Sequence, residues 1–258
     1  MLLLQTIASS LDFRNPLANE RRMECFHRLL AVARDGKVDC VLLPGGFWTV
    51  PRFTDLNPFS EEVITAAEEA GILLITGIDV LQERASKTGL DVSLPFFGIA
   101  GGQCGDDRLA RQCWQQTSST RDNAWDVPED DVPGADRVVD IGRFEIGVLI
   151  CGELFSQRAR TSLAARPTDL IVDLGHSGMG QGLQSAMAKL AEQSRSPVAH
   201  SQHVRWWDGP SLHYCTPDRE QQPRLVSTCE YVGDDEFWIA HSIRDVPERA
   251  VGSSEKSL

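Results

Sequence analysis

The chain has 258 residues, enough to bury a large core without disulfides or metals. Its 41% apolar and 24% charged content excludes wholesale disorder. A net charge of −12 argues against non-specific binding to nucleic acid or to an anionic membrane, since both need a basic surface.

No apolar run approaches the roughly 18 residues that a membrane-spanning helix needs. Met1–Leu4 is short, lacks a basic flank and is broken by Gln5, so it reads as a first strand and not as a signal peptide. The seven cysteines are scattered, odd in number and form no C-x-x-C pair. That usage fits a reduced, cytoplasmic protein. No repeat and no low-complexity linker divides the chain, so a single domain over 1–258 is expected.

Apolar residues of Leu2–Ala8 predict a strand. Met23, Phe26, Leu29, Leu30, Val32 and Ala33 recur at helical spacing, which predicts a helix over 19–34 stopping at Asp35-Gly36. Val38–Leu43 is a short apolar run closed by Pro44-Gly45-Gly46, the pattern of a buried strand entering a loop. Ser60 with Glu61 and Glu62 reads as the N-cap and first turn of a helix ending near Gly71. Ile72–Ile75 is the next buried strand, and Val92–Ala100 a further apolar segment after a polar loop. The Gln-, Ser- and Thr-rich stretch 101–136, acidic in its second half, reads as long surface loops. Regular structure returns with a hairpin over 136–150 turning at Gly142-Arg143. A strand at Leu170–Leu174, a helix at Leu183–Gln193, a strand at Val198–Ser201 and late strand material in Tyr231–His241 follow. This alternation predicts an α/β fold with large sheets covered by helices.

The most informative segment is Gly142–Leu154, GRFEIGVLICGEL. A buried strand delivers Cys151 at its end, just before a turn into helix, which fixes a nucleophile while exposing its sulfur. A small apolar core residue is the other role open to such a cysteine. The segment resembles the nucleophile motif of the nitrilase, or carbon–nitrogen hydrolase, superfamily, "G-x-x-I-C-x-E/D". The resemblance continues through Leu3-Leu4-Gln5, the DCVLLP run ending at Pro44, Gly71–Gly77, Val132-Pro133-Gly134, Ala186–Gln193 and Asp208–Ser211. It implies an α/β four-layer α-β-β-α sandwich. The chemistry it implies is amide or nitrile hydrolysis through a cysteine nucleophile, a glutamate acid–base and a lysine that stabilises developing charge. A homodimer, packed through apolar Leu154, Phe155 and Leu163, and a small amide or nitrile ligand are implied too, with no cofactor and no metal.

The chain departs from that pattern at two of the three catalytic positions. Gly45 and Gly46 follow Pro44 where the glutamate belongs, and Gln116 (or Gln115) stands in the lysine's place. The four lysines, Lys37, Lys87, Lys189 and Lys256, all lie elsewhere. General acid–base help is worth about 10²–10⁴ in rate and one oxyanion donor about 10²–10³, so their loss bears directly on activity. Glu153 matches the supporting acid of the motif. His176, and His200 or His203, follow strands whose ends border the pocket in this fold, and a Cys–His pair would ionise Cys151 without the glutamate. Cys151, Glu153, Gln116 and His176 are thus the candidate catalytic set, with Gly45, Gly46, Gln115 and His203 as substrate-binding candidates. Cys151, His176 and His203 match no standard metal-ligand spacing. The glycines of 98–105 do not fit a dinucleotide fingerprint. Trp206-Trp207 reads as buried packing, with an interface patch or a pocket wall as its alternatives. Two functions remain open: a divergent carbon–nitrogen hydrolase, or a catalytically silent relative that binds a small ligand or a protein.

Overall fold

The computed structural model describes residues 1–9, 14–82, 84–85, 92–93, 96–117, 137–142, 144–177, 182–204, 212–217, 230–233 and 237–248. The chain opens with β1 (Leu2–Ser9), α1 (Asn19–Asp35), β2 (Cys40–Leu42), β3 (Trp48–Val50), α2 (Phe53–Glu69) and β4 (Leu73–Val80). A two-stranded ribbon, β5 (Arg84–Ala85) and β6 (Val92–Ser93), precedes β7 (Phe96–Cys104) and β8 (Asp107–Gln115). The hairpin of β9 (Val138–Asp140) and β10 (Glu145–Leu149) leads into α3 (Gln157–Ala164), β11 (Leu170–Ser177), α4 (Gly182–Ser194) and β12 (Val198–Val204). Three strands close the described chain: β13 (His213–Cys215), β14 (Glu230–Gly233) and β15 (Trp238–Asp245).

The main sheet runs β8-β7-β4-β2-β1-β12-β11-β10-β9. Among the described residues the strand ladder joins its two halves at the end of β1, where Ala8 and Ser9 pair with His203 and Val204, and β15 runs along β1 from Leu2 to Ala8. The sheet is therefore free to curl so that one half packs on the other. Period-2 alternation then sorts the side chains into layers. Leu3, Leu42 and Ile75 from the first half meet Ile146, Val148 and Val172 from the second in a core between the sheets. Leu4, Val41 and Leu74 point outward, against Phe26 and Leu29 of α1 and Val63 of α2. On the opposite face Leu149, Ile171 and Val198 pack on Leu163 of α3 and on Met187 and Leu190 of α4. The result is an α-β-β-α four-layer sandwich.

Several sequence expectations shift. The second helix begins at Phe53, seven residues before Ser60, whose hydroxyl instead donates to the Asn57 carbonyl inside the helix. Pro58 is the sixth residue of α2, so it leaves the Thr54 carbonyl without its helical donor, a local cost that the helix carries. The stretch 101–136 is not loop throughout. Residues 101–104 complete β7, and Asp107–Gln115 forms edge strand β8, turned at Gly105-Asp106. An edge strand with one face in solvent carries polar residues, so its sequence looks like a loop. Residues 118–136, and the Trp206-Trp207 pair, lie outside the described residues. Of the three apolar residues expected at a subunit contact, Leu154 and Leu163 are fully buried within the α3–α4 layer and Phe155 is partly buried against it.

Candidate active site

The parallel strands β10, β11 and β12 end side by side, and β2 and β4 of the other half end facing them. Cys151 follows β10 with φ +52, a left-handed conformation that is rare outside glycine. A short 3₁₀ turn, Cys151–Phe155, begins there. This strained strand-to-turn junction holds the half-buried Cys151 clear of the sheet; strained backbone of this kind concentrates at functional sites.

His176, near the end of β11, hydrogen-bonds the Cys151 thiol through its ring. Its Nε2 lies 2.8 Å from Oδ1 of Asp79, a residue near the end of β4. The other Asp79 oxygen, Oδ2, accepts from Arg14 Nε at 3.0 Å. Burial works to depress the His176 pKa, but the Asp79 charge, its hydrogen bond and the Cys151 sulfur together push it up to about 10. Burial likewise works to raise Asp79, and the His176 and Arg14 cations outweigh it, holding the carboxyl below its usual range. Phe96 packs on the His176 ring with centroids 3.9 Å apart and walls that side from water. Cysteine, imidazole and carboxylate thus stand in the order that a nucleophile, base and orienting group require.

No family model and no curated protein sequence matches this chain. Solved structures do. An amidase from Nesterenkonia sp. is similar with a TM-score of 0.65 at 14% identity, over 94% of this chain and 90% of that one. A cysteine-to-serine variant of the Nesterenkonia AN1 amidase, described as from the nitrilase superfamily, gives 0.64 at 15%, over 93% and 90%. A third structure of that amidase, carrying the acetamide moiety of fluoroacetamide on its active-site cysteine, gives 0.63 at 15%, over 94% and 90%. The fold is that of the nitrilase superfamily. Identities this low establish the fold alone.

Within this nitrilase fold the glycine loop has a clear physical role. Gly46 has φ +60, and a Cβ there would lie 2.9 Å from both Asp79 Oδ2 and His176 Nε2. At Gly45 a Cβ would run into the Leu174 carbonyl oxygen and the Phe96 ring. The Gly45 N–H donates to the Gly175 carbonyl at 3.0 Å, binding the β2 loop to β11 across the sandwich. The two glycines therefore let the loop close onto the His176–Asp79 pair.

Gln116 follows β8 and is buried. Its Nε2 donates to the carbonyl of Ile150, the residue before Cys151, at 3.2 Å. It brings a neutral amide to the nucleophile's backbone where a lysine was expected. Gln115 uses its carbonyl to accept from Arg137 at 2.8 Å. Glu153 is fully buried, and both its oxygens are engaged by Arg137 at 3.1 Å, with the Ile150 N–H and the Thr117 N–H and hydroxyl as further donors. Burial raises its pKa, against the pull of Arg137 and those donors. It clamps the turn that carries Cys151. His203 is committed to the Ser9 carbonyl through Nδ1 at 3.1 Å and stacks on Phe47; burial lowers its pKa to about 4, so it is neutral. No group of three or more His, Cys, Asp or Glu side chains among the described residues is arranged to hold a metal.

Sequence reasoning missed Asp79 and Arg14. Asp79 had one usable signal. It is the lone charge in the LLITGIDV strand, all of it buried, and a charge in such a strand needs a partner. Arg14 carries no signal that separates it from a surface arginine.

Proposed function

We propose that this protein is a carbon–nitrogen hydrolase that cleaves a small amide or nitrile through Cys151, with His176 as acid and base and Asp79 as its orienting anion. The hydrogen-bonded series Cys151–His176–Asp79 at the strand ends supports this reading above all. The thiol proton passes to His176 and the sulfur attacks the amide carbon. His176 then returns that proton to the leaving nitrogen, and ammonia or an amine departs from a thioester. Acylation removes the sulfur charge that helps to raise His176, so the ring's pKa falls and, once its proton is given up, it stays neutral and ready to accept another. It takes a proton from water, whose oxygen attacks the thioester; acid is released and the thiol regains its proton. Gln116 supplies a neutral donor beside this centre in place of a lysine, which favours modest turnover. The six described cysteines form no disulfide among the described residues, which supports a reducing compartment.

Ammonia release from acetamide, propionamide, butyramide and acetonitrile, with mass spectrometry of the protein after fluoroacetamide, tests the reading. Turnover abolished by Cys151→Ala, and reduced by about 10²–10⁴ in His176→Ala, is expected. No adduct on Cys151, with no ammonia beyond the Cys151→Ala background, would instead favour the catalytically silent binding protein to which the missing lysine and glutamate point.

A further inference from the structure

Beneath Cys151 and His176 lies a second pair that this chemistry does not use. Asp173 and His200 stand directly opposite each other in the β11–β12 register. His200 Nδ1 lies 2.7 Å from Asp173 Oδ2, and the two side chains are 1% and 0% exposed. Asp173 is also opposite Leu149, two residues before Cys151, and it lies three residues before His176. The backbone N–H of Cys151 is a further donor to its carboxylate, and His176 lies close enough to act on it electrostatically.

The register of β11 against β12 shifts between Leu174 and Ser177, so the strand bulges at Gly175 and His176. A bulge re-aims a side chain, here the imidazole that reaches Asp79 and the thiol. The His200 ring fills the space under it: a Cβ at Gly175 would lie 2.7 Å from His200 Nε2. That Nε2 is buried and has no hydrogen-bond partner among the described residues. A buried pair with an unsatisfied nitrogen is a poor device for stability, because apolar residues of similar volume would pack there without that cost.

We propose that Asp173 and His200 are positioning residues: a buried dyad that fixes the Cys151 turn and the His176 bulge against each other. The inference rests on the roles proposed for Cys151 and His176. The carboxylate ties down the strained turn from below, and the imidazole beneath Gly175 keeps the bulge from collapsing back into register. Among the described residues, the charged or titratable groups that face His176 are Asp79, with Arg14 behind it, Cys151, Asp173 and His203.

The test compares the full chain with Asp173→Asn, His200→Leu and His200→Asn, the last of which keeps a donor at the place of Nδ1. Iodoacetamide labelling of Cys151 across pH, read by peptide mapping, is paired with NMR titration of the His176 ring. Asp173→Asn and His200→Leu should slow Cys151 labelling by about ten- to a hundredfold, as misplacement of a reacting group does. They should also move the His176 titration downward, while His200→Asn stays near the parent in both readouts. Folded variants that keep the parental labelling profile and His176 titration would overturn the proposal. So would His200→Leu matching the parent while His200→Asn does not, the order expected of packing alone. A parent whose Cys151 resists labelling would count against the proposed function; the His176 titration would then still decide the dyad, a shift supporting it and no shift sinking it.

Discussion

Gly46 and His176 share one small volume: a Cβ on the glycine would lie 2.9 Å from the imidazole Nε2 that bonds Asp79. The glycines after Pro44, which look in the sequence like a simple loss of the catalytic glutamate, have a positive reason to be there. The sandwich brings the end of β4 and the end of β11 together at this point, and a histidine–carboxylate pair fills it. The loop must be slim and left-handed for the pair to fit.

Gly71 provides an internal control for that statement. It too has positive φ, +73, but a Cβ there would meet nothing within 4 Å. Gly71→Ala should therefore cost only the left-handed strain, about 1–2 kcal/mol. Gly46→Ala carries the same strain and also pushes on His176 and Asp79, so it should cost more and slow iodoacetamide labelling of Cys151. Urea denaturation of the two variants measures the difference; equal losses with unchanged labelling would separate the loop from the pair.

The His176–Asp79 pair should make stability depend on pH in a defined window. His176 titrates at 6.5 when unperturbed and at about 10 in the folded chain. Its contribution is complete below 6.5 and is lost as pH rises through about 10, because the folded state alone holds the proton in between. Asp79 acts at the other end: its folded pKa is lowered, so its contribution is present above 3.8 and is lost as pH falls through the folded value. In Asp79→Asn the burial of His176 is no longer opposed by its main anion, and the ring should titrate well below its present value. Urea midpoints measured from pH 6.5 to about 10 should fall more steeply for the parent than for Asp79→Asn.

Much of this was legible in the residues. Apolar runs such as those around Val41 and Val172, each next to an amphipathic helix, revealed the α/β alternation because burial on both strand faces leaves no polar positions. Cys151 at a strand end and His176 after another strand were visible as candidates for the same reason. The partnership of His176 with Asp79 was not, since the two are 97 residues apart and meet only when the sheet curls. Edge strand β8 was hidden by its exposed face. Glu153 could be recognised as a supporting acid, but Arg137 beside it follows an acidic stretch that gave no hint of burial.

Glu153 should prove more important to folding than to chemistry. Its carboxylate collects donors from three separate segments, Thr117, Arg137 and the Ile150 backbone, at full burial. Glu153→Gln leaves Arg137 buried without its counter-charge, a change that typically costs about 3–5 kcal/mol. Denaturant unfolding at neutral pH measures this. A loss well under that range would mean that Arg137 finds sufficient compensation in the Gln115 carbonyl.

Restoring the missing groups should have opposite effects at positions 45 and 116. Gly45→Glu cannot return the superfamily's glutamate to this site, because the first side-chain carbon already collides with the Leu174 carbonyl oxygen and Phe96. Gly77 closes the loop from the other side, where a Cβ would lie 2.6 Å from the Gly45 Cα. A glutamate at 45 must lift the β2 loop off β11, breaking the Gly45–Gly175 hydrogen bond and disturbing His176, so its cost should exceed the about 1–3 kcal/mol of ordinary overpacking. Gln116→Lys is different. The Gln116 amide already reaches the Ile150 carbonyl, and a lysine there would bring a cation to the backbone that leads into Cys151. That single variant should fold with a lowered urea midpoint and release ammonia from small amides faster than the parent, by up to about 10²-fold. The double variant, Gly45→Glu with Gln116→Lys, should be the least stable and the slower of the two. Faster turnover in the double variant than in Gln116→Lys alone would show that a glutamate fits at 45 after all, and that His176 and Asp79 are not its replacement.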